Sequence, residues 1–547
     1  MSELLRVTVG ELLENTAREA GEKEAVVYHD LGLRYTYSQF EKICRQAARG
    51  FMSLGIEKGD HIAIWASNKP EWLISQFSTG KMGGVLVTVN TNYRKSELEY
   101  LLEQSDSGTL ILMEKFKDHS YIDTLYEIVP ELRTCQPGKL QSEKLPQLKN
   151  VIVLSDKAYP GTFSWDDLLR GADSVTEEML DFRMRTMNPD DVINMQYTSG
   201  TTGFPKGVML THSNLVNNGH SIGSCMKLTK EDRLCIPVPF FHCFGCVLGT
   251  MACVAWGAAM VPVEEFNPRT VLKTVQNEKC TGLHGVPTMF IAELNLLDFD
   301  QYDLTSLRTG IMAGSNCPIE VMKNVVGKMG ANEIIIIYGQ TESSPGITGT
   351  RSDDDIELRV TSVGRALPHV EVKIMLPGTD QEAERGEQGE LCTRGYHVMK
   401  GYYKNPDATK SAVDKDGWLH TGDLAVMDKN GYCKITGRLK DVIIRGGENV
   451  YPREVEEFIY QHPSVMDVQV IGVPDQKYGE ELMAWIIPKE NSGLTAEEIQ
   501  NYCKGNISKH KIPRYIEFTK EYPMTASGKI QKYKLREQSK NVLGQYH

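Results

Sequence analysis

What this chain of 547 residues lacks narrows its chemistry first. Base is in deficit: 60 Lys and Arg stand against 72 Asp and Glu, for a net charge of −12. A nucleic-acid surface needs clustered Lys and Arg, so no nucleic-acid partner is expected. The N-terminal MSELLRVTVGELLENTAREAGEKEA carries acids early and has no apolar segment. It therefore reads as an amphipathic helix, not as a secretory signal or an acid-poor transit peptide. The final LGQYH matches no prenylation or retrieval signal, and a cytoplasmic location is expected. Paired cysteines are scarce. The twelve are mostly solitary, as in a reducing compartment where thiols serve as small apolar residues. Cys243-Phe-Gly-Cys246 has redox or half-zinc spacing, but no second pair stands at zinc-ribbon distance and no metal or redox role is expected. Long apolar runs are also scarce. Residues 243–263 are uncharged and long enough to span a bilayer. They contain three glycines and lack basic flanks, so a buried helix running into a buried strand is expected instead. Peripheral membrane contact elsewhere is left open. No internal repeat or low-complexity tract is present.

One further absence concerns the stretch YTSGTTGFPKG, Tyr197 to Gly207. Its glycines, hydroxyls and lysine suit an anion, because glycine lets backbone N–H groups converge on phosphate. Yet the ATPase loop pattern G-x-x-x-x-G-K-[ST] fails: Pro205 occupies the second glycine position and Gly207 follows Lys206.

What is present reads as an α/β chain too long for one core. Apolar runs such as HIAIWASN, GGVLVTVNT, TLILM, NVIVLS, INMQYTS, GAAMVPV and EIIIIYG alternate with helical patterns. Gln136 to Lys149 and Arg351 to Asp355 read as surface loops. From about residue 363 to 438 short strands prevail, VEVKIML, GELCTRG, GYYKN, WLHTGDLAVMD and YCKITGR, with a hairpin turn at Lys429-Asn430-Gly431-Tyr432. This reads as a small β-rich, barrel-like subdomain. A third style follows. Tyr451-Pro452 opens a helix with a Val455, Phe458, Ile459 stripe. VMDVQVIGV, ELMAWIIP and RYIEFT read as strands, and Thr495 to Glu498 as a capping box. The expected division is a large N-terminal domain, residues 1–439, built from two sheet-and-helix subdomains plus the β-rich one. A small α+β lid, residues 440–547, completes it.

The glycine-threonine turn has company along the chain. Tyr338-Gly-Gln-Thr-Glu342, Gly417-Trp-Leu-His-Thr-Gly-Asp423, Gly437-Arg-Leu-Lys-Asp441, Arg445-Gly-Gly-Glu448 and Pro523-Met-Thr-Ala-Ser-Gly-Lys529 follow in order. The six-motif set resembles the adenylate-forming superfamily of acyl-CoA synthetases, luciferases and peptide-synthetase adenylation domains, over nearly the whole chain. Within it the likeness is to bacterial fatty-acid–CoA ligases of the family-member-two type. The resemblance implies an acid–thiol ligase that uses ATP, Mg²⁺ and CoA. A carboxylate, already an anion, is a poor electrophile; attack on the α-phosphate of ATP makes it a mixed anhydride and expels pyrophosphate, and CoA then takes the acyl group.

The resemblance also assigns roles. Thr198, Ser199, Gly200, Thr201, Thr202, Gly203, Phe204, Pro205 and Lys206 would wrap the β and γ phosphates. Thr341 would contact the α-phosphate, and Glu342 would hold Mg²⁺, a hard ion that takes carboxylate oxygen. Tyr338 would lie against adenine, with Gly339 and Gln340 beside it and Gly314 and Ser315 lining the same cleft. Asp423 and Arg438 would hold the ribose hydroxyls, though an Asp–Arg pair is also a common surface bridge. Lys529, a lone lysine that solvent would otherwise claim, would stabilise charge at the α-phosphate in the first step. Lys440 would be the hinge of the lid, and Gly446 and Gly447 would line the CoA tunnel in its second pose.

Three places speak to the acid. Pro239 to Gly245 carries no carboxylate where amino-acid-activating relatives place an aspartate, so a buried ammonium would cost several kcal/mol or so. Gly339 replaces the tryptophan of acetate-activating relatives, leaving room for methylenes at roughly 0.8 kcal/mol each. His242, Phe244 and His284 could wall an apolar slot, or be plain core. A medium- to long-chain fatty acid is the expected substrate. An aryl-acid or luciferase-like enzyme, and a nucleotide-binding scaffold without turnover, are the rivals; a carrier protein in place of CoA, and a homodimer, are left open.

Overall fold

A computed structural model of the chain describes residues 3–198, 205–315, 317–490, 492–525 and 530–543. The chain forms two compact units. One runs up to Val360 and adds Gly364–Glu371 and Thr393–Leu419; the other holds Thr361–Val363, Val372–Cys392 and the chain from His420 onward.

The first unit contains two large sheets. One orders its strands Gly401–Tyr402, Lys206–Thr211, Val192–Thr198, Val85–Thr88, His61–Trp65, Thr109–Met113, Asn150–Leu154 and Phe163–Ser164. From Val192–Thr198 onward every pairing is parallel. The apolar runs are continuous because these strands are covered on both faces: Val85–Thr88 is buried throughout, and Ile62, Ile64, Leu110 and Leu112 are fully enclosed. The second sheet has nine strands with a parallel centre, Ile335–Gly339, Thr309–Met312, Gly282–Gly285, Arg233–Ile236 and Ala259–Pro262. Its register pairs Gly285 with Met312 and Met312 with Ile336, so these strands end along one edge. The N-terminal helix, Val9–Ala20, is set by a capping box: Glu11 N donates to Thr8 Oγ1 and Thr8 N to Glu11 Oε2. It buries Leu12 and Leu13.

The second unit carries most of the short-strand sheet, Val370–Met375, Gln388–Gly395, Leu419–Met427 and Cys433–Arg438. Beside it is a five-stranded sheet in which Gly479–Pro488 pairs antiparallel with Val465–Asp475 and parallel with Tyr515–Phe518. Helix Pro452–Tyr460 buries Val455 and Ile459 and half-buries Phe458. Thr495 and Glu498 make the capping box of Ala496–Cys503. Arg453 ties the two sheets' surroundings together, its Nη1 donating to Ile435 O at 2.5 Å.

Three segments depart from the sequence reading. GYYKN does not join the small β-rich sheet. Gly401 and Tyr402 pair with Met209 and Val208 as an edge strand of the eight-stranded sheet. Only a long-range partner decides such a two-residue strand. Residues 136–149 form a loop, but not a purely surface one: Leu140, Leu145 and Leu148 are buried in the core beside them. Residues 243–263 give a buried helical run into the buried strand Ala259–Pro262, but its first turn, Phe244–Gly249, is π-helical. Among the described residues no helix is long and apolar enough to cross a membrane.

Candidate active site

The glycine-threonine stretch hangs on a hairpin. Strands Val192–Thr198 and Lys206–Thr211 pair antiparallel, and the last register partners are Thr198 and Lys206. Ser199, Gly200, Thr201, Thr202, Gly203 and Phe204 lie outside the described residues. The base of the hairpin is braced on one side. Tyr100 donates to Pro205 O at 3.1 Å, and the Tyr197 hydroxyl donates to Gln104 Oε1. Burial pushes the Tyr197 phenol well up, so it is a neutral donor at ordinary pH.

The second sheet presents the other motifs at its carboxyl edge, where open α/β sheets bind ligands. Gly314, at φ +90°, and Ser315 follow strand Thr309–Met312. Tyr338 and Gly339 end strand Ile335–Gly339, and Thr341–Ser343 make a tight turn directly after it. Gln340 N donates to Pro345 O at 3.0 Å, which folds that turn back on the strand. A Cβ on Gly339 would stand 1.7 Å from Pro345 O. The glycine is therefore demanded by a backbone approach, and the free room inferred from the missing side chain is filled by the Pro345 carbonyl.

One residue absent from the sequence reading joins the two motifs. Tyr402, on the edge strand Gly401–Tyr402, donates its hydroxyl to Glu342 Oε1 at 2.8 Å. Lys206 Nζ lies 5.0 Å from the centre of the same ring. Met399 N donates to Glu342 O at 2.9 Å. Glu342, from the YGQTE turn, and Lys206, from the glycine-rich hairpin, thus meet across one tyrosine. Burial, with Glu342 alongside, raises the Tyr402 phenol far above its ordinary range, so it stays a donor. Among the described residues Glu342 Oε2 has no partner, and this half-buried carboxylate suits a hard divalent cation.

The apolar candidates separate. His284 is fully buried and its Nε2 donates to Leu248 O at 3.0 Å. Burial lowers its pKa to about 4, so the ring is neutral at pH 7. Phe244 packs on it, ring centres 5.4 Å apart, and His242 stands 5.3 Å from Phe241; Phe244 and His242 are half-buried. The cysteine pair has a plain role. Cys243 donates to Gln196 Oε1 at 2.9 Å while Gln196 Nε2 donates to Cys246 Sγ at 3.1 Å, fixing the π-helical turn to strand Val192–Thr198.

In the second unit Asp423 and Arg438 are cross-strand partners, with Arg438 Nε 3.1 Å from Asp423 Oδ1. Asp423 is nearly buried while the Arg438 side chain is 56% exposed. Lys440, an exposed side chain, lies in the turn Leu439–Asp441 that leaves this sheet, and partial desolvation together with Arg438 lowers its pKa. Burial alone would raise the neighbouring Asp441, but Arg536 Nη2 at 2.6 Å from Oδ1 holds that carboxyl below its ordinary value. Gly446 and Gly447, at φ +60° and +89°, make the turn between Ile443–Arg445 and Glu448–Val450, with Gly446 N donating to Tyr478 O at 2.8 Å. Beside them Arg445 closes on the buried Glu481, Nη2 to Oε2 at 2.9 Å. Lys529 lies outside the described residues.

A family model described as AMP-binding enzyme matches residues 13–403, and one described as AMP-binding enzyme C-terminal domain matches residues 454–529. The chain is 63% identical to YngI of Bacillus subtilis (strain 168), provisionally named as an acyl-CoA synthetase, over 98% of each sequence. It is 42% identical to the medium-chain acyl-CoA ligase ACSF2, mitochondrial, of Homo sapiens, over 98% of this chain and 88% of that one. Among solved structures, the anthranilate CoA ligase AuaEII in complex with anthranoyl-AMP matches with a TM-score of 0.87 at 27% identity, covering 99% of both chains.

Proposed function

Because the chain belongs to the AMP-binding enzyme family, as an AMP-forming acid–thiol ligase of the acyl-CoA synthetase type, we propose that its acid is a medium- to long-chain fatty acid. The observation that carries this reading is the 42% identity, over nearly the full chain, to a medium-chain acyl-CoA ligase. The lack of any carboxylate in Pro239 to Gly245 supports it, since an amino acid's ammonium would find no counter-ion there. The half-buried His242 and Phe244 would supply the apolar wall, with His284, neutral and fully buried, packed behind Phe244 as shape and not as charge.

The reaction has two steps. A carboxylate oxygen bonds to the α-phosphorus of ATP, the bond from that phosphorus to the bridging oxygen breaks, and pyrophosphate leaves. The CoA sulfur, having lost its proton, then attacks the acyl carbon and AMP departs. In the first step Thr198 to Lys206 cradle the β and γ phosphates, Thr341 contacts the α-phosphate, and Lys529 offsets the charge that develops there. The Tyr402 hydroxyl fixes the rotamer of Glu342, whose other oxygen would hold Mg²⁺. That ion, when bound, neutralises phosphate charge. Tyr338, Gly339 and Gln340 pack on adenine with Gly314 and Ser315, and Asp423 and Arg438 take the ribose hydroxyls. The body, residues 1–439, and the lid, residues 440–547, change pose about Lys440, after which Gly446 and Gly447 border the pantetheine arm.

The test is pyrophosphate release by purified protein with ATP, Mg²⁺ and CoA across acids of six to eighteen carbons, beside benzoate and anthranilate. A maximum within the aliphatic series is expected. A maximum on the aryl acids would favour the second reading, for which the match to an anthranilate CoA ligase speaks. No release with any acid would refute both.

A further inference from the structure

The stretch that leads into Lys529 is tied at its base. Met524 and Ile530 form an antiparallel bridge, and Gln531 N donates to Pro523 O at 2.8 Å. Helix Lys532–Leu543 begins immediately afterwards, and it begins with a lysine. A cation belongs at the other end of a helix, because the first N–H groups already present positive charge. Something else must hold Lys532 there. Its Nζ donates to Glu456 Oε1 at 2.5 Å and to Val470 O at 3.1 Å. Glu456, on helix Pro452–Tyr460, also accepts from Val470 N at 2.7 Å. Glu456 thus locks three elements together: its own helix, the strand Val465–Asp475 and the first residue of the last helix. The two side chains are 12% and 22% exposed, unlike a solvated surface bridge. Removing either partner strands a largely buried charge.

We propose that Glu456 is a positioning residue for the adenylation half-reaction: through Lys532 it fixes the base of the segment bearing Lys529, and it has no part in thioester formation. The proposal rests on the role given above to Lys529. It separates from ordinary lid stability because the lid serves both half-reactions, whereas Lys529 serves only the first.

The test measures the halves apart. Octanoate-dependent ATP–pyrophosphate exchange reports the first; CoA thioester formation from supplied octanoyl-AMP reports the second. Glu456→Gln should lower kcat for exchange by roughly ten-fold, the scale at which small misplacements are felt, with the second half-reaction within about two-fold of wild type. Lys532→Met should show the same split. The double variant should be no worse than the poorer single one, because one tie is lost in all three. Equal falls in both half-reactions, or no fall in exchange, would overturn the proposal. Lys529→Ala is the reference. If it abolishes exchange while Glu456→Gln and Lys532→Met exchange normally, the proposal alone fails; if it exchanges like wild type, the assignment of Lys529 fails and the proposal falls with it.

Discussion

Tyr402 shows what a motif list omits. Lys206 and Glu342 could be picked out from residue type and company, because phosphate calls for a cation and a divalent ion for a carboxylate. Nothing in GYYKN marks either tyrosine as part of that chemistry. Tyr402 reaches Glu342 only because its two-residue strand pairs with Val208 and Met209, about two hundred positions earlier in the chain. A hydrogen bond to a charged group is worth about 1.5–3 kcal/mol, and here it sets which Glu342 oxygen faces outward. Tyr402→Phe keeps the ring beneath Lys206 and removes only that bond. Exchange should fall by roughly ten-fold or more, and the loss should shrink as Mg²⁺ is raised, since a carboxylate free to turn binds the ion more weakly. A Mg²⁺ titration of variant and parent checks this. Identical Mg²⁺ dependence would remove Tyr402 from the site. Gly339 teaches the converse lesson. Its missing side chain was legible, but the reason for it was not: the Pro345 carbonyl that fills the space is placed by a turn no pattern specifies.

At the scale of elements, periodicity and caps carried most of the fold. The strands His61–Trp65, Thr109–Met113 and Asn150–Leu154 were readable because burial on both faces leaves an unbroken apolar run. The capping box at Thr495 was readable because its chemistry is local. The π-helical turn Phe244–Gly249 was not, since Gln196 on another element fixes it. Strand Val465–Asp475 holds one more feature invisible to pattern. Asp467 lies half-buried beside Glu456 and Tyr522, with Lys532 and the Gln469 side chain as its favourable neighbours and Val468 N donating to Oδ1 at 2.7 Å. Burial, aided by Glu456, pushes its carboxyl up to about 7. A raised folded-state pKa means stability that is complete below the ordinary value near 3.8 and is lost as pH climbs through about 7. Asp467→Asn removes that dependence. The variant should gain stability relative to the parent at pH 8, on the order of 3 kcal/mol, and gain little at pH 4. Urea melts of the full chain, followed through Trp485 of the same sheet, measure the difference. A gain equal at both pH values would contradict the assignment.

For the whole molecule, one C-terminal module is proposed to do two unlike jobs. With the proposed roles of Lys529 at the phosphate and of Gly446 and Gly447 at the thiol arm, some eighty positions apart in sequence, damage should sort by half-reaction and not by overall fitness. Glu456 and Lys532 supply one side of that sorting. Gly447 supplies the other. It sits at φ +89° with no atom within 4 Å of where a Cβ would stand, so a side chain there meets backbone strain but no neighbour. Gly447→Val should therefore fold, at a cost of about 1–2 kcal/mol for the left-handed backbone. It would put a branched side chain where the pantetheine arm is proposed to pass. Thioester formation from supplied octanoyl-AMP should fall by roughly a hundred-fold, while ATP–pyrophosphate exchange stays within about two-fold of wild type. Octanoyl-AMP should then accumulate on the enzyme in a single turnover with ATP and octanoate, even with CoA present. Rapid thioester formation by Gly447→Val would mean that the Gly446–Gly447 turn never borders CoA, and that the lid does not exchange faces between the two steps.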